Sequence, residues 1–600
     1  MLENVFSARV EALRSLMREN DWDIVILTGS DPHASEYPAA RWKQVQWLSG
    51  FTGEAGDLVV TRDHAGLWTD TRYFIQAVRQ LEGTGIRLHK MRVPEQVPIP
   101  QWIASLELEE PVIAVDGLCQ TVAAVRELQA AVPSAVIMPV PDLLAPLWED
   151  RPAIPCTPII TLGEDLTGES REARLHWLRK WMILKEVDAI LITSLDQIAW
   201  LLNVRGADVD YNPVVISYLL VTMDQAYWFV RKDAFGDPDE ETQASFDELL
   251  SDEVTLCDYE EVGLALSTFV GEDVDAVFVD PSSLNIYLRK QLEENGFNVV
   301  EGTSPVALRK SVKNSVEIAG MREAHLEDGL AVEKFLYWLE GQVGRVDEWE
   351  AACKLQSLRA EIPGYRGDSF ETISAYGPGA ALPHYVTPRS GAPLLEPHGL
   401  YLVDSGGQYL FGTTDITRTV PLGPCTALER EDYTLVLRGH IDLAMSVFPA
   451  GTAGCQIDLA ARAPLWQTRR NFGHGTGHGV GFFLNVHEGP QDIRQNFNGQ
   501  PLLPGMITSD EPGIYREGMH GVRHESLLVT REAGSNDFGT WYAFEVITLC
   551  HIDTSCLVRD LLTADELAWL NAYNERVYRT LSPRLSPEIA AWLRTKTLPV

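Results

Sequence analysis

Hydrophobic and polar positions near the start of the chain predict a helix followed by a buried strand. Apolar residues recur at helical spacing within 10–20, which predicts an amphipathic helix. The run 23–27 begins with an aspartate and continues as four apolar residues, which predicts a short buried strand. A tryptophan-leucine segment follows at 47–51.

The same order of elements occurs a second time further along the chain. A helical pattern at 171–184 leads into an aspartate-led apolar run at 188–192, and a second tryptophan-leucine segment lies at 200–204. We interpret this as an internal repeat that produces two related α/β domains. Chance similarity is the alternative, since a helix followed by a strand is common in α/β proteins.

Two stretches indicate where these domains end. The proline-rich stretch 139–158 resists regular structure and suits a connector. The second domain ends near 309–315, because a long helical pattern occupies 316–340 and opens a third domain. The predicted domains are 1–155, 156–314 and 315–600.

The third domain mixes both kinds of element, which predicts an α+β fold. Its predicted strands include 401–403, 507–508 and 526–529, and its predicted helices include 430–447 and 565–581.

Length and charge narrow the function classes. A chain of 600 residues exceeds one hydrophobic core. With 49 basic and 85 acidic side chains, its net charge of −36 gives no general attraction to nucleic acid or anionic membranes. The N-terminus lacks signal-peptide features, and no apolar stretch is long enough to span a membrane. Eight scattered cysteines without a CxxC pair indicate reduced thiols in a cytoplasmic protein.

Two aspartates are the first candidate for chemistry. Asp404 ends one strand run and Asp415 lies in the next, with glycines between them. An antiparallel hairpin would bring both carboxylates together, and a divalent cation would relieve their repulsion. The alternative is that both are turn or cap aspartates.

Three histidines lie in a glycine-rich segment. His474, His478 and His487 account for three of the 14 histidines in the chain. Imidazole is a common metal ligand and a proton carrier near neutral pH, and the glycines allow the backbone to approach an ion or a substrate closely. A single histidine is more often structural, but this clustering favours a functional site.

Two glutamates complete the candidate set. Glu511 precedes a proline-glycine turn that would hold it at the end of a strand. Glu525 starts another strand run, and Arg523 would face the same side of that strand. Each glutamate alone is also consistent with a solvated position.

Together these segments form the ordered pattern D-x10-D, HGTGHG, E-P-G and G-x-R-x-E. The pattern resembles the metallopeptidase family with the pita-bread fold (M24), which includes methionine aminopeptidase, prolidase, aminopeptidase P and creatinase. Other segments, such as SFETISAYGPGAALPHY and TDTRYF, are most similar to the long, three-domain Xaa-Pro aminopeptidases. The resemblance implies two creatinase-like α/β domains, a catalytic pita-bread α+β domain, and hydrolysis of the bond between an N-terminal residue and a following proline.

The resemblance also implies roles for individual residues. Asp404 would bind one ion, Asp415 and Glu525 would bridge two, and His478 and Glu511 would hold the second. The ions would be manganese, with zinc or cobalt as alternatives. The implied catalytic groups are His384, His474, His487 and Glu511, and the implied substrate-binding groups are Arg72, His384, His478, His487 and Arg523. Peptides with proline at the second position are the expected partners, together with a second copy of the chain in a homodimer.

Three rival functions share the fold. Prolidase would use the same five ligands on dipeptides. A non-catalytic peptide- or histone-binding module would have lost ligands, and creatinase-like hydrolysis would need no ions. The chain departs from the family pattern at His524 and Ser526, where the family tends to be apolar and acidic or amide. It departs again at Val546, where related chains often carry proline. Strand alternation predicts that His524 points away from Glu525.

Overall fold

The computed structural model describes residues 5–250, 253–269 and 274–600. The chain divides into two compact units: Met1–Gly163 with Glu169–Val306, and Glu164–Gly168 with Ala307–Val600. In the described ranges, no helix has the length and apolar character needed to cross a membrane. All eight cysteines are free thiols.

The first unit begins with a six-stranded sheet. Its strands are β1 Ile24–Leu27, β2 Asp57–Thr61, β3 Ala65–Thr69, β4 Arg87–Lys90, β5 Val112–Asp116 and β6 Val136–Val140. Its helices are α1 Val5–Glu19, α2 Gln44–Ser49, α3 Phe74–Gln80, α4 Ile99–Ala104 and α5 Val122–Ala131. The strand order is β4-β3-β2-β1-β5-β6, with β1 antiparallel to β2 and parallel to β5.

The same unit contains a second sheet. The next strands are β7 Ile160–Thr161, β8 Ala189–Ile192, β9 Val204–Arg205, β10 Ser217–Thr222, β11 Ala226–Val230, β12 Val254–Cys257, β13 Ala276–Val279 and β14 Asn298–Glu301. The next helices are α6 Glu164–Thr167, which belongs to the second unit, α7 Arg171–Lys185, α8 Leu195–Leu202, α9 Glu240–Leu249, α10 Val262–Ala265, α11 Ile286–Glu294 and α12 Pro305–Ser311, most of which belongs to the second unit.

The second sheet repeats the topology of the first. Its order is β12-β11-β10-β8-β13-β14, and β8 is antiparallel to β10 and parallel to β13. The strands β1 and β8, which the aspartate-led runs predicted, occupy equivalent central places. The predicted repeat is therefore present as a repeat of strand order and direction.

The tryptophan-leucine segments lie at equivalent places after β1 and β8, where they contribute to helices α2 and α8. One local prediction for this unit needs correction. The proline-rich stretch does not begin as a connector, because Pro139 lies inside β6. In its sheet β6 pairs only with β5, so the missing N–H of this proline is tolerated on an edge strand.

The second unit contains the remaining elements. Its strands are β15 Tyr365–Asp368, β16 Ile373–Tyr376, β17 Leu400–Ser405, β18 Gly407–Tyr409, β19 Gly412–Thr413, β20 Ile416–Pro421, β21 Val447–Pro449, β22 Gly477–Gly479, β23 Glu488–Ile493, β24 Ile507–Asp510, β25 Gly513–Arg516, β26 His520–Arg523, β27 Ser526–Asn536 and β28 Gly539–Val546. Its helices are α13 Ser315–Glu340, α14 Glu348–Arg359, α15 Ala427–Ala444, α16 Gly454–Trp466, α17 Ala564–Leu581 and α18 Pro587–Lys596.

The main sheet of this unit has the order β21-β28-β27-β24-β22-β23, and a three-stranded sheet has the order β16-β17-β20. A large apolar core, which includes Tyr433, Leu465 and Leu528, joins helices α15 and α16 to the main sheet. The predicted helix at 316–340 is confirmed as α13, which Asn314 and Glu317 start with a capping box. Helix α15 ends before the predicted 447, because Val447 begins β21.

Candidate metal centre

The predicted aspartate pair lies beside one pair of antiparallel strands. In β17 and β20, Asp404 is opposite Thr417 and Ser405 is opposite Ile416. Asp415 therefore directly precedes β20 rather than lying within a strand. Both carboxylates are buried. The predicted antiparallel pairing is present, although the loop between the two strands contributes β18 and β19 to another sheet.

The two glutamates are brought together by a second antiparallel pair. In β24 and β27, Asp510 is opposite Ser526. Glu511 follows β24 and Glu525 precedes β27, so each lies one residue beyond this facing pair. The backbone N–H of Glu525 donates to the carbonyl of Thr417 at 3.1 Å, which connects this strand pair to the strands that carry the aspartates.

The His478 side chain faces these carboxylates through one ring nitrogen. Its Nδ1 lies 2.9 Å from the carbonyl oxygen of Gly479. Because a carbonyl only accepts hydrogen bonds, Nδ1 carries the proton and the lone pair of the neutral ring lies on Nε2. That nitrogen is 3.4 Å from Asp415 Oδ2 and 3.5 Å from Glu511 Oε1. A lone pair facing carboxylate oxygens is the arrangement of a metal ligand.

The glycines on either side of His478 are required by close backbone contacts. A Cβ at Gly477 would lie 2.0 Å from the carbonyl oxygen of Ser509, and a Cβ at Gly479 would lie 2.1 Å from that of Glu488. Only glycine fits at such distances. The glycine-rich sequence therefore lets β22 pack against its neighbours while presenting the histidine.

The charge balance of the cluster fits bound cations. Ligand atoms of Asp415, His478 and Glu525 lie within 4.8 Å of one another. Burial and the charge of Asp415 raise the pKa of Glu525 well above its usual range. Burial raises the pKa of Glu511 to about 7, although His478 opposes this shift. In the described part of the chain, Asp404 Oδ1 is buried without a hydrogen-bond partner. Such an excess of buried carboxylate is relieved by divalent ions, and this oxygen-rich donor set suits hard ones.

Arg523 supplies a guanidinium beside the cluster. It contacts Asp404 Oδ2 at 2.5 Å, the Tyr515 hydroxyl at 2.7 Å and Thr417 Oγ1 at 3.1 Å. Thr417 Oγ1 in turn donates to Glu525 Oε2 at 2.8 Å. Arg523 therefore orients two of the candidate ligands, one directly and one through a hydroxyl.

The three accessory histidines occupy different positions. The ring of His487 lies 4.3 Å from that of His478, centroid to centroid. His474 contacts the Tyr515 hydroxyl through Nε2 at 2.8 Å and the Gly475 carbonyl through Nδ1 at 2.7 Å. Burial, reinforced by Arg523, lowers the pKa of His474 to about 3, so its ring is neutral. His384 is half-buried and close enough to His474 to affect that pKa.

Family comparisons match the chain in four consecutive segments. The description "Metallopeptidase family M24" matches residues 319–532, and "C-terminal region of peptidase_M24" matches 540–600. "Creatinase/Prolidase N-terminal domain" matches twice, at 9–147 and at 150–317. The two N-terminal matches correspond to the two related sheets.

Comparisons with whole proteins cover nearly the full length. Aminopeptidase P1 of Lotus japonicus is 35% identical and covers 100% of both chains. A probable Xaa-Pro aminopeptidase P of Verticillium alfalfae is 37% identical over 99% of both. The chain belongs to metallopeptidase family M24.

Solved structures of M24 relatives agree with this fold. An X-prolyl aminopeptidase of Caenorhabditis elegans, described as a cytosolic enzyme with a di-nuclear active site, has a TM-score of 0.93 at 34% identity and 99% coverage of both chains. A Xaa-Pro dipeptidase of Bacillus anthracis, at 23% identity and a TM-score of 0.51, covers 64% of this chain and 99% of its own, and shares the fold. The architecture is thus an M24 pita-bread domain preceded by two creatinase-like domains.

Three residues of this M24 site were not predicted from the sequence. Thr417 links Arg523 to Glu525, and Tyr515 links Arg523 to His474. The Ser509 hydroxyl accepts from the backbone N–H of His478 at 3.0 Å. Strand alternation from Asp415 could have identified Thr417, because residues two apart share a face.

The predicted relation between Arg523 and Glu525 needs correction. They do not share one strand, since Arg523 ends β26 and Glu525 precedes β27. His524 lies between them, fully buried, with its ring 4.5 Å from that of Tyr433 and perpendicular to it. His524 therefore points into the core that contains Tyr433, as alternation predicted, although the segment is a junction between two strands.

Arg72 belongs to the first unit, whereas the candidate metal ligands belong to the second. Its guanidinium contacts Asp70 through Nε at 2.9 Å and through Nη2 at 2.8 Å. A contact between Arg72 and a bound peptide stays a prediction.

Proposed function

We propose that this chain is an Xaa-Pro aminopeptidase that removes one N-terminal residue ahead of proline. The observation that carries the proposal is a cluster of five side chains in a chain that belongs to M24. Asp404, Asp415 and Glu525 are buried, and His478 and Glu511 are half-buried beside them. The full-length similarity to Xaa-Pro aminopeptidases supports the substrate class.

The proposed cofactor is a pair of divalent ions. Asp404 would hold one ion, His478 and Glu511 the other, and Asp415 and Glu525 both. Manganese is the proposed metal, because carboxylates outnumber imidazole in the donor set. Bound ions would supply Lewis acidity that activates water and polarises a carbonyl.

The protein's own groups would handle charge and protons. His384 and His487 would donate hydrogen bonds to the oxyanion that develops at the carbonyl of the first residue. Glu511 would relay a proton to the departing prolyl nitrogen. His474 would hold Tyr515 in place, and through it Arg523.

Proline explains why a dedicated peptidase is needed. An X–Pro bond is a tertiary amide without an N–H and with a fixed φ. A protease that binds the N–H on the leaving side cannot use this bond, whereas a pocket shaped for the pyrrolidine ring can.

The proposal extends to the whole molecule. We propose domain boundaries near 155 and 314, a homodimer, and a cytosolic location like that described for the C. elegans enzyme. Arg72 and Arg523 would contribute to peptide binding.

One purified sample tests the activity and the metal together. We expect release of arginine from Arg-Pro-Pro, little release from Arg-Ala-Pro, and two equivalents of divalent metal by elemental analysis. Preferred hydrolysis of the dipeptide Gly-Pro would indicate prolidase instead. Peptide binding without hydrolysis or bound metal would indicate a non-catalytic module.

The histidine roles need a separate experiment. His384→Ala and His487→Ala should lower kcat for Arg-Pro-Pro by roughly 10²-fold and change the pH–rate profile. The control is His398→Ala, since His398 lies in the same unit with a side chain 60% exposed. Near-native turnover by both variants would contradict the assignment.

A further inference from the structure

A second concave site lies in the first unit. A cavity of about 260 Å³ is lined by segments that follow β1 and β5 and by segments of the second sheet's half of the unit. The loops around it are joined directly: Tyr287 N donates to the Gly117 carbonyl at 2.9 Å, and Asn285 Nδ2 donates to the Pro32 carbonyl at 3.2 Å. Ligands of α/β proteins commonly bind beyond the carboxyl ends of strands, where β1 and β5 end here.

One side of the cavity is aromatic and rigid. The rings of Tyr218 and Tyr259 stack with centroids 5.2 Å apart at an interplanar angle of 11°. The hydroxyl of Tyr259 is held by His33 Nε2 at 2.9 Å. Trp42 and Tyr287 also line the cavity. Such walls suit a flat apolar body.

Another side of the cavity carries two guanidinium groups that share one carboxylate. Arg41 Nη2 lies 3.3 Å from Asp142 Oδ2, and Arg151 forms an ion pair with Asp142 Oδ1. Arg151 also donates from Nε to the Arg41 carbonyl at 2.8 Å. Within the described ranges these contacts engage Nε and one terminal nitrogen of Arg151, so its other terminal nitrogen is left for a ligand. The side chain is only 7% exposed.

Two further acids, Asp116 and Glu260, line the cavity. Burial raises the pKa of Asp116 to about 6, so this carboxyl is partly protonated near that pH and ionised above it. Glu260 lies 3.7 Å from Arg231 and is thereby engaged elsewhere. Burial and the neighbouring Arg41 lower the pKa of Arg151, so an added negative charge would stabilise this guanidinium.

We propose that this cavity binds a small organic carboxylate whose flat apolar body lies against Tyr218 and Tyr259 and whose carboxylate meets Arg151. The remaining terminal nitrogen of Arg151 can donate one charge-assisted hydrogen bond to that carboxylate, and the aromatic walls bury the rest of the ligand. The site is built from residues of the first unit, and none of them belongs to the candidate metal centre.

Three probes with the same body and different head groups test the charge preference. We use 3-phenylpropanoate, 2-phenylethylamine and 2-phenylethanol with the full-length holoenzyme, measured by isothermal titration calorimetry and ligand-observed NMR. The carboxylate should bind at least tenfold more tightly than the amine and the alcohol. Absence of binding by the carboxylate, or tighter binding by the amine, would overturn the proposal.

Variants locate the binding. Arg151→Met should weaken carboxylate binding at least tenfold. Arg62→Met is the matched control, because Arg62 lies in the same unit with a side chain 73% exposed, and it should bind like the parent.

A second variant keeps the proposal testable if Arg151→Met folds poorly. Gly263→Ala leaves the charges in place and narrows the cavity, since the new Cβ would lie 3.1 Å from Tyr287 Oη. It should weaken 3-phenylpropanoate binding several-fold. Binding that survives both variants but disappears when the holoenzyme is treated with a chelator would place the ligand at the metal centre and overturn the proposal.

Discussion

Two buried carboxylate centres in the second unit differ in their charge balance. Asp432, on α15, is surrounded by two guanidinium groups and an imidazole: Arg470 Nε lies at 2.8 Å, Arg516 Nε at 2.5 Å and His520 Nε2 at 2.9 Å. Although burial alone would raise it, hydrogen bonds from Arg516 and His520 lower the pKa of Asp432 to about 2. This centre is complete without any ligand.

The candidate metal centre has the opposite balance. Its four carboxylates have one nearby guanidinium, that of Arg523, and burial raises the pKa of Asp404 and of Glu525. Burial is common to both centres, so burial does not distinguish function from structure. The deficit of positive charge does distinguish them, because an excess of buried carboxylate is favourable only if a cation from outside the chain binds there.

The largest expected effect comes from removing one carboxylate of the candidate metal centre. Glu525→Gln keeps the shape but should abolish stable binding of two ions and lower kcat/KM for Arg-Pro-Pro by at least about 10³-fold. Elemental analysis and initial rates measure both. Glu532→Gln, at an exposed position of the same strand region, is the control. Full metal content and activity in Glu525→Gln would contradict the contrast between the two centres.

Removing the carboxylate of the balanced centre should instead affect stability. Asp432→Asn removes the carboxylate that Arg470, Arg516 and His520 share, and leaves Arg470 with Glu431 alone, so it should destabilise the fold by about 2–3 kcal/mol. Denaturant unfolding measures this loss, and metal content should be unchanged. Glu431→Gln, whose carboxylate is 42% exposed beside Arg470, should change stability little. Loss of metal in Asp432→Asn would show that the two centres are coupled.

Local patterns predicted much of the fold. Helices α7 and α13 and strands β1 and β8 followed from periodicity, because each buries one continuous apolar face or run. The pairing of β24 with β27 did not follow, since it joins segments whose register depends on packing across the whole unit. The place of Pro139 inside β6 could not be predicted either, because the local sequence does not show which strand lies at the edge of the sheet.

Some residues of the candidate site could likewise be predicted from the sequence, and others could not. The five candidate ligands were predicted because their residue types and order are visible in the sequence, and Thr417 could have been identified by alternation from Asp415. The centre around Asp432 was not predicted, because Arg470, Arg516 and His520 come from separate loops and strands. A contact of Arg72 with substrate depends on the arrangement of units, which no local pattern determines.

A smaller effect is expected in the pH dependence of the stability that Asp432 provides. A carboxyl group has a pKa near 4 when unfolded, and that of Asp432 is lowered to about 2 in the folded chain. A lowered folded pKa stabilises the fold above about pH 4, and this stability is lost as the pH falls towards about 2. We expect about 1–2 kcal/mol, less than full linkage predicts because Arg516 is partly exposed. The stability difference between the parent and Asp432→Asn should shrink over this window, and a constant difference would contradict it.

The smallest expected effect concerns the hydrogen bonds that position the ligands of the candidate metal centre. Thr417 Oγ1 donates to Glu525 Oε2 at 2.8 Å and accepts from Arg523 Nε at 3.1 Å, so it fixes one ligand relative to the guanidinium. Thr417→Val removes the hydroxyl at nearly constant volume and should lower kcat about tenfold and stability by about 1 kcal/mol. Thr417→Ser retains the hydroxyl and should restore most of the activity. Equal activity losses in Val and Ser variants would mean that packing of the methyl group, rather than the hydrogen bond, positions Glu525.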